Sequence, residues 1–472
     1  MPRITTVPSR LRAAIRRAFS QFLALPLATV LFFVGLNALV YVADQAWQGG
    51  QAPAGFRWLG RLIGDRAALG SLLATVASSI ITVTSITFSL LLIAVQQGAA
   101  AMTAQVTDQF MARRVNQLYF GYFVGLSVFV LMTLVTNTDY HRPVFGTSLA
   151  LIFTAAALCL IIVMIYNTID QMRPGQIVLF IHGKILRARA DDHRLLARTR
   201  RTPHRDWPVL DTLRSAERGY VVRIDTARIQ AAIDAEAPGR AELELLVPRG
   251  AYRALNDPLF ALRVRPDAAL SARARERIGT AAFAAIGFDD GRDLRHDASY
   301  GLQQLATIAW TSISTAKSNP SPGVAVIQAL RDIIARWNPE NDTVPEDPHA
   351  GLVLADGAPD AAADALEAII VVASESIQSH TLAEAVSTLA ILLEHVCAPA
   401  ADRLADIARR ALSSLGEHVL TRELESALRQ LEASLRRRGD TGDADAVAAA
   451  TQDLARSLGT LNSRSTRVPA PS

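Results

Sequence analysis

Hydroxyl side chains recur at regular spacing in an uncharged segment near the N-terminus. Nine serines and threonines lie between Ser71 and Ser89. One set has successive spacings of four, three, four, three and four residues, and a glutamine follows seven residues later. That set, which we call the hydroxyl stripe, consists of Ser71, Thr75, Ser78, Thr82, Ser85, Ser89 and Gln96. Its heptad spacing predicts that all seven side chains share one face of a helix.

Two kinds of chemistry suit such a stripe. Small hydroxyl residues let membrane helices approach closely and form hydrogen bonds across the contact, each worth about 0.6 kcal/mol. A hydroxyl can also bond to a carbonyl of its own helix, so it costs little in lipid. Alternatively, the stripe lines a water or ion pathway within an oligomer or between helices. No Asp, Glu, Lys or Arg lies in mid-membrane, where such residues usually mark an ion pathway. The sequence leaves both chemistries open.

Four segments without charge provide the helices that must position these residues. They are residues 18–43, 68–107, 115–138 and 143–169, and each can supply the ~20 apolar residues of a spanning helix. We predict a basic N-terminus at 1–20 and a membrane domain at 21–170, with helices near 22–43, 71–95, 117–136 and 144–166. The first apolar run is longer than the ~7–15 residues of a signal-peptide core, so we expect an uncleaved helix. Gly121 and Gly125 in helix three form a small-xxx-small contact that we expect to receive the stripe.

The basic residues that flank the four segments predict the orientation. On one side lie Arg3, Arg10, Arg12, Arg16, Arg17, Arg113, Arg114, Arg173, Lys184, Arg187 and Arg189. The loop between helices one and two opposes this bias with Arg57, Arg61 and Arg66. We expect a multi-pass protein of the bacterial inner membrane with both termini in the cytoplasm.

The remaining residues are charge-rich and predict a cytoplasmic α+β part. We expect a juxtamembrane linker at 171–217, a small β module at 218–266, an all-α region at 267–462 and a disordered tail at 463–472. The linker contains an arginine-rich connector at 184–205, which either touches anionic lipid or forms a solvated helix. The predicted fold class is therefore a polytopic α-helical membrane protein with four transmembrane helices and a cytoplasmic α+β part.

Recognisable catalytic and cofactor motifs are missing from the sequence. It has no HExxH, GxxxxGK[ST], GxSxG or CxxC pattern. Cys159 and Cys397 are the only cysteines, and they give no disulfide framework. The net charge of +4 gives no case for nucleic acid. We expect no enzymatic activity, no cofactor, no bound metal and no nucleic-acid partner.

Several segments resemble a bacterial family of predicted membrane proteins, the one defined by domain of unknown function 2254. In the membrane half the resemblance lies at 77–79, 81–82, 88–89 and 110–117. The last segment contributes Phe110, Arg113, Arg114, Asn116 and Gln117. In the soluble half the resemblance lies at 219–225, 300–305 and 308–309. It covers residues 22–330, and it implies a membrane protein with a cytoplasmic domain but no particular activity.

One turn departs from the pattern of that family. The resemblance implies Ser-Pro-x-Ile-Asn-Asp-Pro after the later helix, whereas this chain has a turn that ends at Ser318, Asn319 and Pro320. Asn319 replaces the aspartate, so any chemical role of that carboxylate is lost here.

The function that we expect is that of a homo-oligomeric channel or transport protein with a cytoplasmic regulatory domain. The alternative is a non-conducting scaffold or signalling receptor that captures a protein partner through its cytoplasmic helices. In both cases the lipid bilayer is a partner.

Overall fold

The computed structural model describes residues 23–46, 66–101, 113–138, 141–171, 173–314, 319–338, 342–344, 346–415, 418–456, 461–463 and 466–467. The chain divides into two compact units, Met1–Gln176 and Ile177–Ser472. We call them the membrane unit and the C-terminal unit. Each is described by itself.

The membrane unit contains four long apolar helices. They are α1 (Ala24–Ala46), α2 (Arg66–Ala101), α3 (Arg114–Val135) and α4 (Val144–Gln171). Each is long and apolar enough to cross a bilayer. The predicted number of membrane helices is therefore confirmed. α2 has 36 residues and continues beyond its apolar span, Ala67–Ser89.

Large aromatic side chains fill the centre of the membrane unit. Phe33 of α1 is 2 % exposed. Its ring centroid lies 5.6 Å from that of Tyr122 on α3 and 5.4 Å from that of Phe153 on α4, both edge to face. α3 contacts each of the other three helices. α4 also contacts each of the others, so α3 and α4 both pack against every other described helix of this unit.

The segment predicted as a juxtamembrane linker is largely a helix with a buried face. α5 spans Pro174–Leu196, and Ile177, Ile181 and Ile185 on it are buried. Their spacing of four residues places them on one side of the helix. The connector at 184–205, expected to touch lipid or to form a solvated helix, thus begins in a helix whose apolar face is buried. The arginines on other faces of α5 made this part of the sequence polar overall, so its apolar face was not recognised from the sequence.

A mixed sheet and an antiparallel sheet follow α5. The strands are β1 (Val209–Arg214), β2 (Gly219–Ile224), β3 (Ala241–Leu245), β4 (Tyr252–Arg253), β5 (Pro258–Val264), β6 (Ile286–Asp289) and β7 (Leu352–Leu354). They form one sheet of order β1-β5-β3-β7 and another of order β4-β2-β6. Two helices, α6 (Thr226–Glu236) and α7 (Ala272–Ala285), lie between strands in the chain. β7 pairs parallel to β3, with Leu243 opposite Leu352.

The strands extend beyond the predicted β module at 218–266. β1 precedes it, and β6 and β7 come from the region predicted to be all α. One hydrophobic core unites both sheets, since Val221 and Ile286 of one sheet pack in the same cluster as Leu243 and Leu352 of the other.

Seven helices complete the described part of the C-terminal unit. They are α8 (Ala298–Ile313), α9 (Ser321–Arg336), α10 (Ala358–Glu375), α11 (Ser379–His395), α12 (Ala400–Leu412), α13 (Arg422–Arg438) and α14 (Thr441–Arg456). A short antiparallel pair, β8 (Leu461–Ser463) and β9 (Thr466–Arg467), reaches into the segment predicted as a disordered tail. The predicted class, membrane helices followed by an α+β part, is confirmed.

Candidate functional site

The hydroxyl stripe lies on the exposed face of α2. Every one of its seven side chains is exposed on the surface of the protein chain. The opposite face of α2 packs inside the membrane unit through Leu73, Ala77, Ile80, Thr84 and Thr87, which are all buried. The stripe is therefore not part of the helix packing within one chain.

Four of the six hydroxyls of the stripe, those of Ser71, Thr75, Thr82 and Ser89, donate to carbonyls of their own helix. The Thr75 hydroxyl donates to the Ser71 carbonyl at 2.8 Å and the Thr82 hydroxyl to the Ser78 carbonyl at 2.8 Å. The Ser89 hydroxyl donates to the Ser85 carbonyl at 3.0 Å. These bonds satisfy the hydroxyl protons locally, and the hydroxyl oxygens can still accept a hydrogen bond.

Gly121 and Gly125 face α1 and not the stripe. A Cβ atom on Gly121 would lie 2.8 Å from Cβ of Thr29 and 2.9 Å from Cα of Pro26. A Cβ atom on Gly125 would lie 2.4 Å from Cδ2 of Phe33. The small residues thus let α1 approach α3, whereas the sequence had led us to expect α2 there.

Two asparagines and an aspartate make polar contacts between the helices of the membrane unit. Asn37 Nδ2 donates to Thr133 Oγ1 at 2.8 Å, and Asn167 Nδ2 donates to Tyr119 Oη at 2.8 Å. Asp44 is 1 % exposed and accepts hydrogen bonds from the Phe145 and Gly146 amides at the start of α4. These contacts cap α4 and join the helices. The sequence analysis missed them. Their only signal was an amide or a carboxylate within or next to an apolar run.

The residues of the family-like membrane motif surround the start of α3. Asn116 and Gln117 are buried in its first turn, at 1 % and 6 % exposure. Arg113 is half-buried at the N-terminal boundary, and Arg114 is exposed. Phe110 lies outside the described residues. The motif therefore contributes two amides to the interior of the membrane unit.

The family-like cytoplasmic turn leads into α9. The side-chain oxygen of Asn319 accepts a hydrogen bond from the Ser321 amide at 3.2 Å, and Pro320 is the N-cap residue. Ser318 lies outside the described residues. An asparagine can form this turn contact as an aspartate would, so the replacement keeps the local structure.

A buried arginine organises the polar part of the C-terminal unit. Arg189 of α5 is 4 % exposed and donates to Asp342 at 2.6 and 2.9 Å. It also donates to Asp356 at 2.6 and 2.7 Å. Burial opposes ionisation of Asp356, but the hydrogen bonds and charge of Arg189, together with the Ala358 amide and the charge of Arg201, hold the pKa of that carboxyl below its usual value. The guanidinium also lies 5.3 Å from the ring centroid of Trp337.

A second buried carboxylate holds the segment that follows α5. Glu242 on β3 is 1 % exposed and pairs with Arg200. Its oxygens also lie 2.8 Å from Nδ1 of His204 and 3.0 Å from the His204 amide. The imidazole stacks on Trp207 with 4.3 Å between ring centroids. This arrangement fixes the chain between α5 and β1.

Asp192 of α5 is partly buried beside other acidic side chains of the C-terminal unit. Burial raises its pKa to about 7, although Arg249, with Nη1 3.3 Å from Asp192 Oδ1, favours the charged form. Asp192 lines a cavity of about 50 Å³ with Asp297, Ser299 and Asp356. Within the part of the chain that the structure describes, no group of three His, Cys, Asp or Glu side chains could hold a metal ion.

Comparison with known proteins identifies the family. The family model described as predicted membrane protein (DUF2254) matches residues 20–378, more than half of the 472 residues. The chain belongs to this family. Its DUF2254 region contains the four described membrane helices, the four-stranded and three-stranded sheets and α8 to α10, and so extends beyond residue 330, where the resemblance in the sequence ended. No curated protein and no solved structure matches the chain.

Proposed function

We propose that this protein is a homo-oligomeric channel or transport protein of the bacterial inner membrane, with the C-terminal unit as its cytoplasmic regulator. The observation that carries the proposal is the exposure of all seven side chains of the hydroxyl stripe on the surface of one chain. A stripe that is not used for packing within the chain is free to face a second copy. Small polar residues are enriched at contacts between membrane helices.

In this oligomer α2 helices from several copies surround a common axis. Their hydroxyl oxygens then line a path, with Thr75, Ser78 and Thr82 at the depth of the apolar span. Serine and threonine are small and uncharged, so their hydroxyl oxygens would line the path and coordinate a passing ion only weakly. A pathway of this kind needs no charged residue in mid-membrane, although many ion pathways have one.

A non-conducting scaffold or receptor is the second candidate. The bonds from Thr75, Thr82 and Ser89 to their own helix favour it, because satisfied hydroxyls tolerate a dry contact or lipid. In this candidate the stripe is a subunit contact, and the C-terminal helices capture a protein partner. Neither candidate assigns catalysis to the chain.

Labelling of single cysteines tests whether water reaches the stripe. Cys159 is exposed, so the starting variant carries Cys159→Ala and Cys397→Ala. Single cysteines then replace Ser78, Thr82 and Ser85, and intact cells are treated with a charged, membrane-impermeant thiol reagent. We expect the labelling rates of all three cysteines to lie within about tenfold of the rate for a cysteine that replaces Thr138. Thr138 is a water-exposed control between α3 and α4.

A lipid-facing control gives the opposite reference. Ile162 on α4 is 71 % exposed and apolar, so a cysteine there should stay unreactive. If the three stripe cysteines react with the reagent as slowly as Ile162→Cys, no aqueous path exists, and the scaffold is the better candidate.

Oxidative cross-linking of the same variants then tests the oligomer. Dimers from Ser78→Cys but not from Ile162→Cys are expected, and their absence would argue against a subunit contact on α2.

A further inference from the structure

A cavity of about 400 Å³ lies in the C-terminal unit, beside the buried cluster of Arg189, Asp342 and Asp356. Pockets that hold small organic molecules have volumes of roughly 300–1,000 Å³. We call this space the α12 cavity, because the first turn of α12 forms one side of it. Much of its wall is apolar, and the side chains concerned are all buried: Ile334, Trp337, Val344, Ala363 and Leu404. The cavity can therefore enclose the apolar part of a small ligand.

Most charged side chains that line the α12 cavity have a counter-charge within the protein. Arg189 is paired with Asp342 and Asp356. Arg403 is paired with three carboxylates, those of Asp364, Glu367 and Asp406. A ligand that bound to either arginine would have to compete with an existing ion pair. These two arginines therefore serve the fold.

Arg201 lines the same cavity, but no carboxylate among the described residues forms an ion pair with it. Its Nη2 donates to the Val344 carbonyl at 2.7 Å, whereas its Nε is buried and has no acceptor in the described part of the chain. The charge of Arg201 acts on Asp356, but the ion pair of that carboxylate is with Arg189. A buried N–H group without an acceptor is costly. A ligand oxygen that accepts from Nε would remove this cost.

Asp360 lies at the mouth of the α12 cavity. It is exposed in the first turn of α10, and no basic side chain of the described chain pairs with it. On another side of the cavity, the N-cap residue of α12, Pro399, provides no side-chain cap. The amides that begin this helix carry a positive partial charge. The cavity therefore offers a place for an anionic group beside Arg201 and a place for a cationic group at Asp360.

We propose that the α12 cavity binds a small zwitterion with an apolar body, either an amino acid or a short peptide. Its carboxylate accepts a hydrogen bond from Nε of Arg201, where the charge-assisted contact is strong. Its ammonium group pairs with Asp360 at the mouth, and its apolar side chains contact Trp337 and Leu404. A ligand with only one of the two charges leaves Arg201 or Asp360 without a counter-charge.

This site does not depend on the channel or transport function. Every residue that lines it belongs to the C-terminal unit, and none belongs to the hydroxyl stripe. The cavity joins the start of α10, the start of α12 and the segment after α5. A bound zwitterion therefore stabilises the contact between these elements, and it gives the C-terminal unit a ligand to which it can respond.

Thermal unfolding of the full-length protein in lipid nanodiscs tests the site. The probes are L-leucine and the dipeptide L-leucyl-L-leucine, which distinguish a free amino acid from a peptide. Tryptophan fluorescence reports unfolding, since Trp207, Trp310 and Trp337 lie in the C-terminal unit. We expect at least one probe at about 10 mM to raise the Tm by about 2 °C or more. If neither zwitterion changes the Tm, the proposal is wrong.

Derivatives of the active probe remove one charge at a time. N-acetylation removes the ammonium group, and amidation removes the carboxylate. Each derivative should give less than half of the Tm shift of the zwitterion. An equal shift from the N-acetyl derivative would identify a site for apolar anions, and an equal shift from the amide would identify a site for cations. Either result would overturn the proposal.

Substitutions locate the bound probe, whose affinity is measured by equilibrium dialysis of the radiolabelled compound. Arg201→Gln should weaken binding at least about tenfold and Asp360→Asn about threefold, because the Asp360 pair is exposed to solvent. Arg201→Lys keeps the positive charge and should bind more tightly than Arg201→Gln. Arg198→Gln and Glu423→Gln are the matched controls. Arg198 is exposed in the same segment, and Glu423 is exposed in the first turn of α13. Unchanged affinity in Arg201→Gln, or an equal loss in the controls, would contradict the proposed site.

Discussion

At the scale of single residues, Arg189 carries a testable energetic prediction. Its guanidinium is buried between Asp342 and Asp356, whose side chains are 9 % and 14 % exposed. Replacement by methionine leaves two buried carboxylates without a counter-charge. We expect Arg189→Met to destabilise the C-terminal unit by about 3–5 kcal/mol, measured by urea unfolding followed through tryptophan fluorescence.

Arg403 provides the matched control for Arg189. It also pairs with several carboxylates, Asp364, Glu367 and Asp406. Solvent reaches this cluster, since 36 % of the Arg403 side chain is exposed. Arg403→Met should therefore cost less than about 1 kcal/mol. Similar losses for both variants would mean that burial of Arg189 does not determine its contribution.

The sequence could not identify Arg189 among its neighbours. Arg187, Arg189 and Arg194 lie within one short basic stretch. Arg189 differs from the others because Asp342 and Asp356, more than 150 residues away in the chain, fold against it. A single sequence records neither contact, so the stretch resembled a solvated or lipid-facing connector.

At the scale of elements, the close approach of α1 to α3 depends on glycine. Gly121→Ala would bring a methyl group within 2.9 Å of the Pro26 backbone, which cannot yield as a flexible side chain would. We expect a loss on the order of 1–3 kcal/mol, seen as a lower midpoint for thermal loss of the monodisperse protein in detergent. Gly35→Ala on α1 is the control, because nothing lies within 4 Å of its added methyl group. If the two variants have the same midpoint, the contact does not limit stability.

The spacing of the hydroxyl stripe predicted a shared helix face, and its seven side chains do lie on the exposed side of α2. What the spacing could not predict is the direction of that face. A membrane helix is apolar on its lipid side and on its packed side, so hydropathy does not separate the two. The positions of the neighbouring helices determine which face of α2 is packed. A single sequence does not show how those helices are arranged in the tertiary structure.

Short strands were the elements that sequence reasoning missed. β7 has only three residues, Leu352–Leu354, and its partner β3 ends at Leu245. Three apolar residues have no diagnostic period. Long helices such as α13 were predictable because their apolar residues show a clear helical period. In α13 the residues buried on one face are Leu424, Leu428, Leu431 and Leu435.

At the scale of the whole molecule, the four membrane helices and their flanking arginines predict the topology. An even number of crossings puts both termini on one side, and Arg113, Arg114 and Arg173 favour the cytoplasm. We expect a fluorescent protein at the C-terminus to fluoresce in cells. Alkaline phosphatase inserted after Thr138 should be active in the periplasm. Active phosphatase at the C-terminus would instead reverse the orientation and make the C-terminal unit periplasmic.

The parallel pairing of β3 with β7 also has a consequence for biosynthesis. A ribosome must add 107 residues after Leu245 before it reaches Leu352. At ~5–20 residues per second this takes roughly 5–20 s. During that interval one edge of β3 has no strand to pair with, and such an edge invites pairing with other chains. The nascent chain is by then anchored through its hydrophobic helices. Neighbouring copies are therefore confined to the same plane while that edge is open, and the interval before β7 emerges is the time when misassembly competes with folding.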